Sequence, residues 1–229
     1  MLPRDLIRFD IFHLRSAITK KLMEYLRSFI NKQSHETIQE FSKVLLTFWG
    51  DYHVCLWRLN KVFTSFNGNE IKDFIYGIPF ILMFLNKSFE ITDELKLIQD
   101  GLWAWYDIVP FFNIVQYETE DHFKESNLKF EFDLKILYAS GAKTFFTKRN
   151  TGDLENPYSH VLRFYLPKHA KTTWDRHQLG LGIFSMQGFE RRNKESKNTY
   201  RRVTNHKHNG CVQNLRQLLD IFEYGTCNT

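Results

Sequence analysis

The sequence is short of the residues that interrupt a chain. Of its 229 residues only five are Pro and eleven Gly, and so few turn-formers predict a mostly helical fold. Cysteine is scarce too. Cys55, Cys211 and Cys227 are odd in number, far apart and without a CxxC pair, which excludes a disulfide scaffold and gives no sign of a zinc module. Such usage fits a reducing compartment, cytosol or nucleus. Long apolar runs are missing. The longest uncharged one, Phe74 to Asn86, is about half of the ~20 residues a membrane span needs, and Pro79 interrupts it. A buried core helix is the expectation there, and no membrane partner. Met1-Leu2-Pro3-Arg4-Asp5 carries charges where a secretory signal would turn apolar. There is no internal repeat and no low-complexity tract.

What is present is bulk. Hydrophobic residues make up 43%, aromatics 16% and charged residues 25%, with 22 Phe. That is globular composition, enough for one medium domain or two small ones. Net charge is +5, but its placement says more than its size. Between Glu190 and Arg216 stand eight Lys/Arg (Arg191, Arg192, Lys194, Lys197, Arg201, Arg202, Lys207, Arg216) against two acids, and the other 23 basic and 24 acidic residues nearly cancel. A near-neutral body with one basic stripe is the footprint of a polyanion-binding face. A solvated basic helix would carry the same pattern.

Apolar residues in three- and four-residue steps predict a helix from Asp10 to Ile30. A second follows the cap-type Ser34, and a third carries Val54, Trp57, Leu59, Val62 and Phe63. Phe74–Phe89 is apolar all round and reads as a central helix that Pro79 bends or bounds. Thr92-Asp93-Glu94 opens a helix running to Pro110. Another spans about Glu120–Phe146, although Phe130-Glu131-Phe132 alternates and would also suit a short extended piece. Residues 148–157 read as a linker between 1–147 and 158–229. After it come a helix near His160–Leu166 stopped by Pro167, a loop through Trp174 and His177, and the Gly-rich Leu179–Ser185. A long helix over about Gly188–Val203 and a last one over Val212–Tyr224 complete the chain.

On the Gly188–Val203 helix, Glu190, Lys194, Lys197 and Arg201 share one face, and Met186, Phe189, Tyr200 and Val203 lie on a neighbouring one. One carboxylate among cations makes either ordinary intrahelical pairs or a metal ligand whose neighbours hold phosphates.

The stretch Gly182-Ile183-Phe184-Ser185-Met186-Gln187-Gly188-Phe189-Glu190-Arg191-Arg192-Asn193-Lys194 resembles the final-acid motif of DDE-type cut-and-paste DNA transposases. The likeness is to Transib-like enzymes and the recombination-activating recombinase related to them. Glu190 takes the place of the last acid, and Arg192, Asn193 and Lys194 match the residues after that acid. Near the start, Asp10-Ile11-Phe12-His13-Leu14-Arg15-Ser16-Ala17-Ile18-Thr19 resembles the Asp-x-x-His segment near the second acid of several such families. In them a largely helical insertion separates the two, as the intervening residues would here. The motifs cover about 40 residues, the organisation nearly the whole chain.

The resemblance implies a ribonuclease H-like relationship: a mainly α helical insertion-like region over 1–147, then the C-terminal helices of an incomplete catalytic domain. It implies Glu190 and Asp10 as catalytic and metal-binding acids, with Mg²⁺ or Mn²⁺ as cofactor only where missing sequence completes the site, since such ions need clustered carboxylates. The strand bearing the first acid has no counterpart, so the chain is expected not to cut DNA alone. Arg191, Arg192, Lys194, Lys197, Arg201 and Arg202 would contact double-stranded DNA at transposon ends, in the nucleus, with a homodimer admitted and no small-molecule cofactor. His160, His169 and His177 precede Glu190 as zinc ligands do in some relatives, but without the CxxC pair. Two other readings stand beside this one: a non-enzymatic helical interaction module using Trp103-Ala104-Trp105-Tyr106 and Phe111-Phe112, and a nuclease completed by a partner chain.

Overall fold

The computed structural model describes residues 10–59, 61, 66–142 and 157–184. Contacts divide the chain into two compact units, Met1–Phe184 and Ser185–Thr229; the second lies outside the described residues. Within the first the architecture is mainly α. Helices α1 (Ile11–Ile30), α2 (His35–Leu46), α3 (Asp51–Arg58), α4 (Gly68–Ser88), α5 (Asp93–Ile108) and α6 (Glu120–Leu137) follow one another. A 3-10 turn, Val109–Asn113, joins α5 to the segment before α6, and a π-helical turn, Tyr138–Ala142, ends α6. Then come α7 (Pro157–His160), a π-helical turn (Val161–Tyr165), α8 (Leu166–His177) and a 3-10 turn (Leu181–Phe184). Among the described residues there is no strand, only an isolated bridge between Gln116 and Leu179.

Local chemistry sets the helix starts. Ser34, Thr92 and Thr119 each accept a backbone N–H of the first turn, satisfying donors the helix itself leaves free. Asn67 and Glu70 form a reciprocal capping box at the start of α4. The apolar stripe of α1 (Leu14, Ile18, Leu22, Met23, Leu26) is buried. α5 lies at the centre, packed on α1, α4 and α6. Inside, the Trp105 indole N–H donates to the Thr19 hydroxyl at 2.9 Å, and that hydroxyl donates to the Arg15 carbonyl at 2.8 Å. A buried polar atom is thus satisfied twice over. Beneath α2 and α3, Trp49, Trp57, Phe41, Phe66 and Phe74 form a nest with ring centroids as close as 4.7 Å.

Several expectations are corrected. Pro79 does not bound a helix; α4 runs through it from Gly68 to Ser88. Proline inside a helix costs about 3 kcal/mol, and burial of Ile75, Ile78, Ile81, Leu82 and Leu85 on both sides of it offsets that. Nor is α4 enclosed all round, because Tyr76, Phe80 and Met83 are 60%, 54% and 69% exposed. Phe130-Glu131-Phe132 is helical, since Phe130 must face inward to stack on Phe111 at 4.3 Å. Leu59 caps α3 and is exposed; Val62 and Phe63 lie outside the described residues. Pro167 does not stop a helix. It sits in the first turn of α8, where a missing N–H leaves nothing unpaired. Trp174 is in that helix, not a loop, and stacks on Phe123 at 4.8 Å. Of the expected linker only Pro157 is described, and it opens α7.

Candidate functional site

Asp10 is the one candidate acid among the described residues. It caps α1, its Oδ1 accepting the Phe12 N–H at 2.9 Å, while Oδ2 pairs with the His13 ring Nδ1. The Asp-x-x-His spacing explains this: three residues apart at a helix start, cap and ring fall on the same side of the first turn. Both oxygens have partners, the Phe12 N–H and the His13 ring. Among the described residues no three His, Cys, Asp or Glu stand together as a metal-holding group. Glu190, Arg191, Arg192, Lys194, Lys197, Arg201 and Arg202 lie outside the described residues, as do the neighbouring apolar face of that helix and the expected Val212–Tyr224 helix.

The residues after Asp10 have separate structural duties. Leu14 and Ile18 enter the core and Thr19 holds Trp105. Arg15, at the start of the second turn, reaches across to the Asn113 side-chain oxygen at 3.3 Å, with its guanidinium 5.9 Å from the Phe12 ring centre. Burial pushes the Arg15 pKa down from a very high value and Tyr76 partly offsets it; the side chain stays charged.

The Asn113 carbonyl also stands beside Gly182. The Gly180 N–H donates to the Val115 carbonyl and the Gly182 N–H to the Ile114 carbonyl, both at 2.8 Å. A Cβ on Gly180 would stand 2.2 Å from the Ile114 oxygen, and one on Gly182 would stand 2.8 Å from the Asn113 and Ile114 oxygens. Only glycine lets backbone meet backbone at that distance. The Leu181–Phe184 turn so held also packs on α1. The helix that Asp10 caps and the Leu181–Phe184 turn are therefore neighbours within the helical body.

Arg15 and Gly182 entered the sequence reading only as positions within the two resembling stretches, and Asn113 was not singled out by sequence. The Gly-x-Gly spacing was the available signal, visible as a poor helix but silent about which backbone it would meet. His160 is exposed beside the Phe164 and Tyr165 rings, His169 lies 4.7 Å from the Phe184 ring, and His177 ends α8. Burial pushes the Tyr117 hydroxyl up to about 12. Its neighbours Phe123 and Trp174 stack face to face, leaving no gap between them for a ligand. Of the interaction patch weighed from sequence, Ala104, Trp105, Phe111 and Phe112 are core, and Trp103 alone is more than half exposed. No helix of the described residues is long and apolar enough to cross a membrane. No protein family, curated protein or solved structure matches the chain.

Proposed function

We propose that the chain is a DDE transposase-like protein that binds double-stranded DNA through the basic segment Arg191–Arg202 and does not cut DNA by itself. One observation supports this more than any other. The first and last described parts of the helical body, α1 and Leu181–Phe184, pack together, as an insertion between two stretches of a single catalytic domain requires. The charge pattern supports the DNA half of the reading, since the +5 of the chain is concentrated after Glu190. Asp10, occupied as cap and imidazole partner, gives no support to metal chemistry by this chain alone.

Titrating duplex DNA with the full chain at several salt concentrations tests it. Affinity falls steeply with salt. Replacing Arg191, Arg192, Lys194, Lys197, Arg201 and Arg202 by Gln flattens the log–log slope by up to about 5. Binding that is missing at low salt, or that ignores the six substitutions, removes the reading. Glu190→Gln leaves binding unchanged, and no Mg²⁺- or Mn²⁺-dependent cleavage is expected from either form.

A second reading, a non-enzymatic protein-interaction module, is favoured by the outer face of α4. Tyr76, Phe80 and Met83 fall at helical spacing and are all more than half exposed, with the Lys72 ammonium 5.6 Å from the Tyr76 ring centre. An apolar row of this kind marks partner surfaces. It gains ground if the DNA titration fails.

A further inference from the structure

A different helix carries a pattern that names its own partner. On α6, residues Asp121, Glu125, Leu128, Phe132 and Lys135 step by four, three, four and three, and all five are exposed. This is one continuous stripe on the side opposite Phe123, Phe130, Leu134 and Leu137, which are buried. Its centre is apolar, with Leu128 68% and Phe132 62% exposed. Its flanks are of opposite sign, Glu125 toward the start and Lys135 toward the end. Neighbouring charges are already engaged: Lys124 pairs with Glu120 at 2.8 Å and Lys129 with Asp107 at 3.6 Å. Glu125 and Lys135 make no ion pair among the described residues. Ten residues apart, they are ~15 Å from each other along the helix and cannot meet within one chain.

We propose that this face pairs antiparallel with the same face of a second copy of the chain. A two-fold axis at the level of Phe130 sets Leu128 against the partner's Phe132 and Glu125 against the partner's Lys135, because each pair is equidistant from residue 130. Every contact then occurs twice, as an isologous interface requires. Opposite charges flanking an apolar seam are what fix orientation and partner in helix pairs. The α4 face answers the opposite way. Centred on its apolar row, with Tyr76 against the second copy's Met83, it would set Lys72 against the second copy's Lys87, like charge on like. An apolar centre of two residues per copy is small, which makes the pairing weak and dependent on concentration. The pairing stands independently of any DNA binding.

Sedimentation equilibrium of the full chain over a concentration series, without DNA, tests it. The wild-type chain is expected to dimerise. Leu128→Glu with Phe132→Glu abolishes association, and because both side chains are exposed the circular dichroism of the monomer stays the same. Glu125→Lys alone and Lys135→Glu alone each weaken the dimer at least about tenfold, since two attractive pairs become two repulsive ones. The double charge swap restores it. A chain that stays monomeric at every concentration overturns the proposal. So does a dimer indifferent to the single reversals, a swap that fails to rescue, or a dimer lost with Phe80→Glu on α4 and kept with Leu128→Glu.

Discussion

The nest around Trp49 and Trp57 and the seam between Gly180–Gly182 and Asn113–Ile114 hold one compact unit together by opposite means. In the nest, volume is the adhesive. Trp49 lies 4.7 Å from Phe66, 5.8 Å from Phe74 and 5.9 Å from Trp57, ring centre to ring centre, and contact area among rings is what stabilises it. At the seam the adhesive is the absence of volume. Two N–H groups reach carbonyls at 2.8 Å because no side chain stands between them. A carbon atom therefore has no fixed worth in this fold. Removing carbons is costly in the first region, and adding one is costly in the second.

The largest loss should come from emptying the nest. Trp57, 2% exposed, touches Phe41, Trp49 and Phe74, so Trp57→Ala is expected to lower stability by about 3–5 kcal/mol. Urea denaturation measures this directly. A loss no greater than that of an exposed aromatic would mean the nest is not a core, and the contrast would collapse.

Filling the seam comes next. Gly180→Ala places a methyl 2.2 Å from the Ile114 carbonyl oxygen. The obstacle is backbone, which cannot swing aside as a side-chain tip can, and a loss of about 1–3 kcal/mol is expected. The local signature is faster hydrogen exchange at Gly180 and Gly182, with the Trp49 nest unchanged. Equal loosening in both regions would show that they are not independent supports.

These two regions also mark how far a sequence can be read. α1, α2 and α5 were legible because their apolar periods and their caps, Ser34 and Thr92, are local signals, and local signals survive without knowledge of the partner. The mainly α class follows from the same regularities. The passage of α4 through Pro79 was not legible, because what offsets the proline is burial against helices distant in sequence. Phe130-Glu131-Phe132 left a short extended piece open beside the helix for a related reason: alternation over three residues fits a strand, and stacking of Phe130 on Phe111 decides for the helix. Asp10 was visible as an acid at the right spacing to His13, yet its duty as a cap needed the φ and ψ of the turn. The Gly-x-Gly segment was recognisable as non-helical, but the carbonyls it meets lie over 60 residues earlier in the chain. The face that pairs Glu125 with Lys135 was hidden because which side of α6 is outermost is decided by α5.

A polar atom set inside a region held by bulk refines the contrast at lower energy. Asp133, one turn from Phe130, is 5% exposed, and its Oδ2 has no hydrogen-bond partner. Burial pushes its carboxyl pKa up, Asp107 pushes it further, and Lys129 partly offsets both. The folded chain thus holds this proton more tightly than the unfolded chain. The penalty is absent at a pH below the ordinary aspartate range. It grows as pH rises through that range and levels off above the raised folded value. Asp133→Asn should therefore stabilise the protein by about 1 kcal/mol at neutral pH and by nothing in acid. Urea midpoints of the two forms across pH test this. A gain that does not depend on pH would assign the cost to packing instead of charge.

The mildest change probes bulk that has nothing to hold. Phe80 shares α4 with Phe74, six residues away, yet it is 54% exposed where Phe74 is fully buried. Transfer energy depends on area removed from water, so the same ring contributes little on the outer face. Phe80→Ser should shift stability by no more than about 0.5 kcal/mol, read from thermal and urea unfolding of the isolated chain. Helix propensity differs little between the two residues, so any larger loss has to come from contacts. A cost approaching that of Trp57→Ala would mean the outer row of α4 is covered in the whole chain. The contrast between a buried nest and an open row would then give way to a second core. If the small value holds, the same variant becomes a clean probe of the interaction reading, because any partner it fails to bind is lost for want of the ring and not for want of the fold.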